Sequence, residues 1–161
     1  MGKTSKESLN PTVNLSGLVP VERMRGDSKK DERLLRDMAI EASEYLLSFT
    51  WCKSIRRAWF GWGVGGVCAV FLLEIESGSK KVDSLLWVVV GDIPPAYLVI
   101  DSSPTPLSAL RNYTELMQKW VDAVKARKSV ATRIPVNAPA TIQYANLLQK
   151  RLDFIEKEFL N

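Results

Sequence analysis

The sequence predicts an α+β fold, a three-stranded antiparallel meander covered by three helices in the order α-β-β-β-α-α. Three observations carry this reading. The runs 67–73, 85–90 and 96–100 are apolar without alternation, as strands read when both of their faces are covered. The links between them, Ser77-Gly78-Ser79-Lys80 and Gly91-Asp92-Ile93-Pro94-Pro95, are short, which favours antiparallel neighbours. On either side of the meander, apolar residues recur at helical spacing.

Residues 1–28 mix Ser, Lys, Pro, Gly and Asn without periodicity and read as a disordered basic tail ahead of a single domain, 29–161. The first helix is expected over 29–49. Asp27 and Ser28 are its cap candidates, and Asp31 and Glu32 place carboxylates in its first turn, where the helix dipole favours them. Leu34, Leu35, Met38, Ala42, Tyr45, Leu46 and Phe49 form one apolar stripe. Arg33, Arg36, Asp37, Glu41 and Glu44 lie opposite it.

Residues 50–66 hold Trp51, Trp59 and Trp62, the cations Lys53, Arg56 and Arg57, and glycines 61, 63, 65 and 66. Glycine at that density marks sharp turns or close approach of the backbone to something else. A short strand around 58–62 is conceivable and would be a fourth. The three apolar strands follow. A second helix starts at Thr105 as N-cap and Pro106 as first residue, where the missing amide proton costs nothing. It places Leu107, Leu110, Tyr113, Met117, Trp120, Val121 and Val124 on one face and fades near Arg127. The link 128–137 is polar and basic. The third helix begins near Pro139, with Ile142, Ala145, Leu148, Leu152, Ile155 and Phe159 as its stripe. Core packing explains that stripe more simply than a coiled-coil seam, which needs three heptads or more.

Composition narrows the function classes. The chain has 161 residues, 46% hydrophobic and 25% charged, enough to bury a core without metals or disulfides. Its net charge of +4 is uneven: residues 1–30 hold six Lys/Arg against three Asp/Glu, and residues 31–161 hold sixteen against fifteen. A nucleic-acid-binding domain concentrates basic charge on its body, and this body is near neutral. The chain has no histidine, which removes the commonest general base, histidine metal ligands and histidine-activated nucleophiles. Two isolated cysteines, Cys52 and Cys68, cannot form a structural zinc site and read as free buried thiols. Gly2-Lys3-Thr4 lacks the upstream glycine and strand of a phosphate-binding loop. No metal and no cofactor is expected.

Residues 58–73 carry no charge and contain Gly61 and Gly65 at the spacing of packed membrane helices. The run is too short for a span, is broken by four glycines, and meets Glu74 and Glu76 at once. No membrane is expected. The opening Met1-Gly2-Lys3 segment has no apolar stretch of an export signal, so a cytoplasmic location is expected.

Two groups of side chains are candidates for function. The first is the aromatic and basic set Trp51, Lys53, Arg56, Arg57, Trp59 and Trp62, with Asp92, Pro94 and Pro95 of the second turn in support. Trp and Arg dominate protein-binding hot spots, and cations beside aromatic rings also grip single-stranded nucleic acid. The bland alternative has the tryptophans capping the core and the cations solvated. The second group is Asp83 and Asp101, which a regular meander brings to one end of the sheet, opposite Asp92. Two carboxylates could divide acid and base roles or hold a divalent cation; as turn residues they would only satisfy local backbone.

The run from Leu86 to Asp101, LWVVVGDIPPAYLVID, followed by Pro106-x-x-Ala109-Leu110 in the next helix, resembles small bacterial proteins of unknown function. In these a Trp-rich strand ends in Gly-Asp-Leu/Ile-Pro and leads into a strand and a helix. The resemblance covers residues 55–125. It implies a compact cytosolic binding module of the immunity or accessory-factor type and brings no catalytic residue with it. The near-neutral body departs from the acidic surface expected of an inhibitor of a basic nuclease.

The reading that follows is a non-enzymatic module that binds another protein. A small carboxylate-based enzyme or sensor and a nucleic-acid accessory protein are the alternatives. A sheet that is apolar on both faces adds a reason to expect a partner chain or a homo-oligomer, since three helices must cover both sides.

Overall fold

A computed structural model describes residues 15–161 of the chain. It is α+β, with three α-helices and one five-stranded antiparallel sheet in sequential order: β1 (Val19–Pro20), β2 (Cys52–Val64), β3 (Cys68–Ser77), β4 (Leu85–Gly91) and β5 (Ala96–Val99). The helices are α1 (Lys29–Leu47), α2 (Pro106–Lys125) and α3 (Ile142–Ile155). The expected meander is therefore β3–β5, and two strands precede it. The element order is β-α-β-β-β-β-α-α. The chain divides into two compact units, one running to Ala109 and the other from Leu110 to Asn161.

The larger departure from the sequence reading is β2. Thirteen residues of the Trp, Gly and Arg segment form one strand, paired along its length with β3 from Cys52↔Ser77 to Val64↔Cys68. Three register shifts, at Lys53, Arg56 and Gly61, insert extra residues into β2. Such bulges scramble the period-2 pattern by which a strand is recognised.

The second departure lies in the segment expected as tail. Val19 and Pro20 pair with Phe60 and Trp59, and Met24 is fully buried in the core. Pro20 is tolerated because β1 is an edge strand, where one missing N–H breaks no ladder. Residues 1–14 of the expected tail lie outside the described residues.

Helix α1 starts where its cap residues indicate. Ser28 Oγ accepts from the Asp31 amide at 3.0 Å. Leu35, Met38, Ala42 and Leu46 pack with Phe71, Leu73, Leu86, Val88 and Val90 on one face of the sheet. On the other face Val70, Leu72, Trp87 and Val89 are also fully buried. There the Trp87 indole N–H donates to the Ser103 carbonyl at 2.5 Å. Strand residues of both faces are thus buried.

Thr105 and Ser108 cap α2 reciprocally: the Ser108 amide donates to Thr105 Oγ1 (3.1 Å), and the Thr105 amide donates to Ser108 Oγ (2.9 Å). In the second unit α2 and α3 run antiparallel. Arg111 reaches the Leu160 carbonyl, Gln118 and Gln149 exchange side-chain hydrogen bonds at 2.7 and 2.9 Å, and Trp120 meets Tyr144 edge-on. Thr141 caps α3, two residues after the expected start. Two expected core positions, Leu107 and Ile142, are exposed, each in the first turn of its helix. No helix among the described residues is long and apolar enough to cross a membrane.

Candidate functional site

The six residues of the aromatic and basic segment are all on or beside β2, and the strand sorts them. Trp51, just ahead of it, belongs to the α1 face. Its ring stacks on Phe49 (4.9 Å between centroids) and meets Tyr97 edge-on (5.3 Å), packed against the buried core. Arg57, Trp59 and Trp62 pair with Glu74, Leu72 and Val70, which alternate with the core residues Leu73 and Phe71. They therefore point to the opposite face. Trp59 is buried and Trp62 half-buried. Trp51 does not join them, so no single aromatic platform forms.

The cations separate in the same way. Arg57 is engaged: its Nε donates to Glu74 Oε1 at 2.7 Å, and its guanidinium lies 5.1 Å from the Trp59 ring centroid. Glu74 was read from sequence only as a charge that ends an apolar run. Lys53 and Arg56 sit at two of the three bulges, exposed to solvent. They make no ion pair among the described residues.

Those two cations lie on a strand whose outer edge is paired over only two residues. The inner edge of β2 is bonded to β3, while β1 covers its outer edge only at Trp59 and Phe60. From residue 52 to 58 the outer edge has no strand partner among the described residues. An edge of this kind presents backbone N–H and C=O groups to any chain that approaches.

The glycines have the close approaches their density implied. At Gly65, in the turn between β2 and β3, a Cβ would come within 2.8 Å of the Asp31 backbone and the Leu34 side chain. The Gly65 amide donates to Asp31 Oδ1 at 2.7 Å, and the Asp27 amide donates to Asp31 Oδ2 at 2.9 Å. One carboxylate thus ties the hairpin tip to the start of α1. At Gly61 a Cβ would meet the Pro106 ring.

The second turn is a structural fastening. Gly91 has φ +145°, and a Cβ there would strike the Val67 carbonyl. The Asp92 amide donates to that same carbonyl at 3.0 Å. Pro94 is buried, Pro95 half-buried, and Asp92 exposed. Asp83 and Asp101 are both exposed. The register Leu86↔Val99 puts them at one end of the β4–β5 pair and Gly91 at the other. Among the described residues no three His, Cys, Asp or Glu side chains converge so as to hold a metal ion.

Cys52 and Cys68 are free and buried. Burial pushes the Cys68 thiol up to about 12 and raises that of Cys52, so neither is a ready nucleophile. The Arg36 guanidinium that hydrogen-bonds Glu32 holds its carboxyl below the usual range.

One feature had no signal in the sequence. In the second unit a cleft of about 190 Å³ is lined by Thr114, Glu115, Gln118, Leu152, Asp153 and Glu156. Its polar groups are largely bonded within the unit: Thr114 donates to the Arg111 carbonyl, and Gln149 links Gln118 to Asp153. No protein-family model, curated protein or solved structure matches this chain.

Proposed function

We propose that this chain is a non-enzymatic binding module of the cytoplasm that acts by contact with another protein along the outer edge of β2. One observation carries the reading: the stretch 52–58 has no strand partner on its outer edge among the described residues and carries exposed Lys53 and Arg56. Strand addition to an open edge supplies affinity through main-chain hydrogen bonds and selectivity through flanking side chains. The bulges and cations also guard this edge against indiscriminate pairing. The same charges that repel a basic strand attract an acidic one, so the partner contributes an extended segment rich in Asp or Glu.

The test is a tagged pull-down from the native cell, treated with nuclease, comparing wild type with the charge-reversed pair Lys53→Glu/Arg56→Glu. Both side chains are exposed, so the pair should keep the wild-type circular dichroism and urea midpoint. The expected result is a stoichiometric protein retained by wild type and lost from the variant, with the amides of 53–58 slowed in hydrogen exchange when it is bound. Equal retention by both forms, or no retained protein, overturns the reading.

A further inference from the structure

We propose that the segment 125–133, which leaves the end of α2 in the second unit, binds the phosphate backbone of a nucleic-acid duplex through charge alone. Two independent observations lead there. The first is a charge segregation that the near-neutral body conceals. Between Asp122 and Asp153 the chain carries six Lys or Arg residues and no Asp or Glu. Four of them, Lys125, Arg127, Lys128 and Arg133, lie within nine residues. All four are exposed, and none is ion-paired among the described residues.

The second is the backbone at Arg127. Helix α2 closes with the Lys128 amide donating to the Ala123 carbonyl (2.8 Å) and the Arg127 amide to the Val124 carbonyl (3.0 Å). That pair of bonds puts Arg127 in the left-handed position usually held by glycine. Arg127 has φ 58° and is the one non-glycine residue with positive φ among the described residues. The backbone there disfavours a side chain, and that of Arg127 is exposed and makes no ion pair among the described residues. A cation held in this position is accessible to a phosphate. The negative end of α2 favours cations such as Lys125 nearby. It does not account for a side chain at the glycine position, or for Arg133 beyond the helix.

The chemistry of the surface selects the ligand. Between residues 125 and 141 no large apolar side chain is exposed, so nothing anchors a lipid surface or forms a protein hot spot. From 121 to 143 there is no aromatic residue, so nothing stacks on unpaired bases. Guanidinium and ammonium groups alone suit regularly spaced phosphates, read without regard to sequence. The residues differ from those of the β2 edge, and this inference stands independently of that reading.

The experiment is fluorescence anisotropy of a labelled DNA duplex titrated with the full chain between 50 and 200 mM salt, alongside poly-glutamate as a competitor. Wild type should bind, with log affinity falling against log salt at a slope of about −3, close to one unit per phosphate contact. Lys128→Glu/Arg133→Glu should weaken binding by about tenfold or more at the lower salt. Arg127→Gly removes the strain and so cannot fail by unfolding; it should melt no lower than wild type while the salt slope shrinks by about one unit. No duplex binding at 50 mM salt, or equal binding by the charge-reversed pair, overturns the proposal. Release of the labelled duplex by poly-glutamate at a lower concentration of charge than by unlabelled duplex would do the same and assign the loop to an acidic protein.

Discussion

Strands β2 and β3 are hydrogen-bonded neighbours, yet they are built on opposite rules. In β3, seven of the ten residues are buried, and its partners flank it on both edges. In β2, two of thirteen are buried, three bulges break the register, and one edge has a strand partner at only two residues. The difference follows from position. A central strand contributes by filling space on both faces and needs only apolar volume. An edge strand has unpaired backbone on one side and must either guard it or use it. Exposed Lys53 and Arg56 at the β2 bulges fit the guarding role.

The contrast is sharpened first at its buried end. Phe71 is fully buried in β3, 5.8 Å from the Phe60 ring. Phe71→Ala should cost about 3–5 kcal/mol in urea unfolding, because the removed ring leaves a cavity that its neighbours close only in part. A loss below about 1 kcal/mol would show that the centre of the sheet can collapse, against the packing described here.

Asp31 joins the two regimes, since it anchors the β2–β3 tip to α1 from a partly buried position. Asp31→Ala should cost about 1.5–3 kcal/mol, the range for hydrogen bonds to a charged acceptor. It should also speed hydrogen exchange at the Gly65 amide far more than at Val88. Equal acceleration at both amides would mean that the carboxylate acts on global stability and not on the tip.

The smallest effect belongs to the edge. The Arg57 side chain is 67% exposed although its partner Glu74 is only 13% exposed. Arg57→Ala should cost less than about 1 kcal/mol, most of it lost in high salt, as solvent-screened pairs behave. A cost of several kcal/mol that salt leaves unchanged would place the pair among the groups that hold the sheet together.

Legibility followed the same divide. Strands β3 to β5 were readable because continuous apolar runs between turn residues have few other meanings. The starts of α1 and α2 were readable because capping is a local device: Ser28 with Asp31 and Thr105 with Ser108 act across three residues. The full length of β2 was not readable, because each bulge at Lys53, Arg56 and Gly61 shifts the alternation by one. β1 was hidden by its two-residue length, though the apolar Leu18-Val19-Pro20-Val21 run within the supposed tail was a faint sign of it. Of the candidate site, the residue types were visible but their grouping was not. Trp51 faces α1 while Trp59 and Trp62 face away, and that depends on the same bulges.

What the sequence determined by itself is the α+β class, the three apolar strands and the two cap-defined helix starts. Each depends on residues a few positions apart, whose spacing and turn chemistry act whatever the rest of the chain does. Tertiary structure alone decided which charges are engaged. Arg57 meets Glu74 seventeen residues on, and Asp31 meets the Gly65 amide thirty-four residues on. It also left Lys53 and Arg56 exposed beside an edge without a strand partner and Arg127 at positive φ on an exposed loop. Such pairings form only once strands and helices have closed long loops, and closing a long loop costs entropy that the short-range pattern does not register.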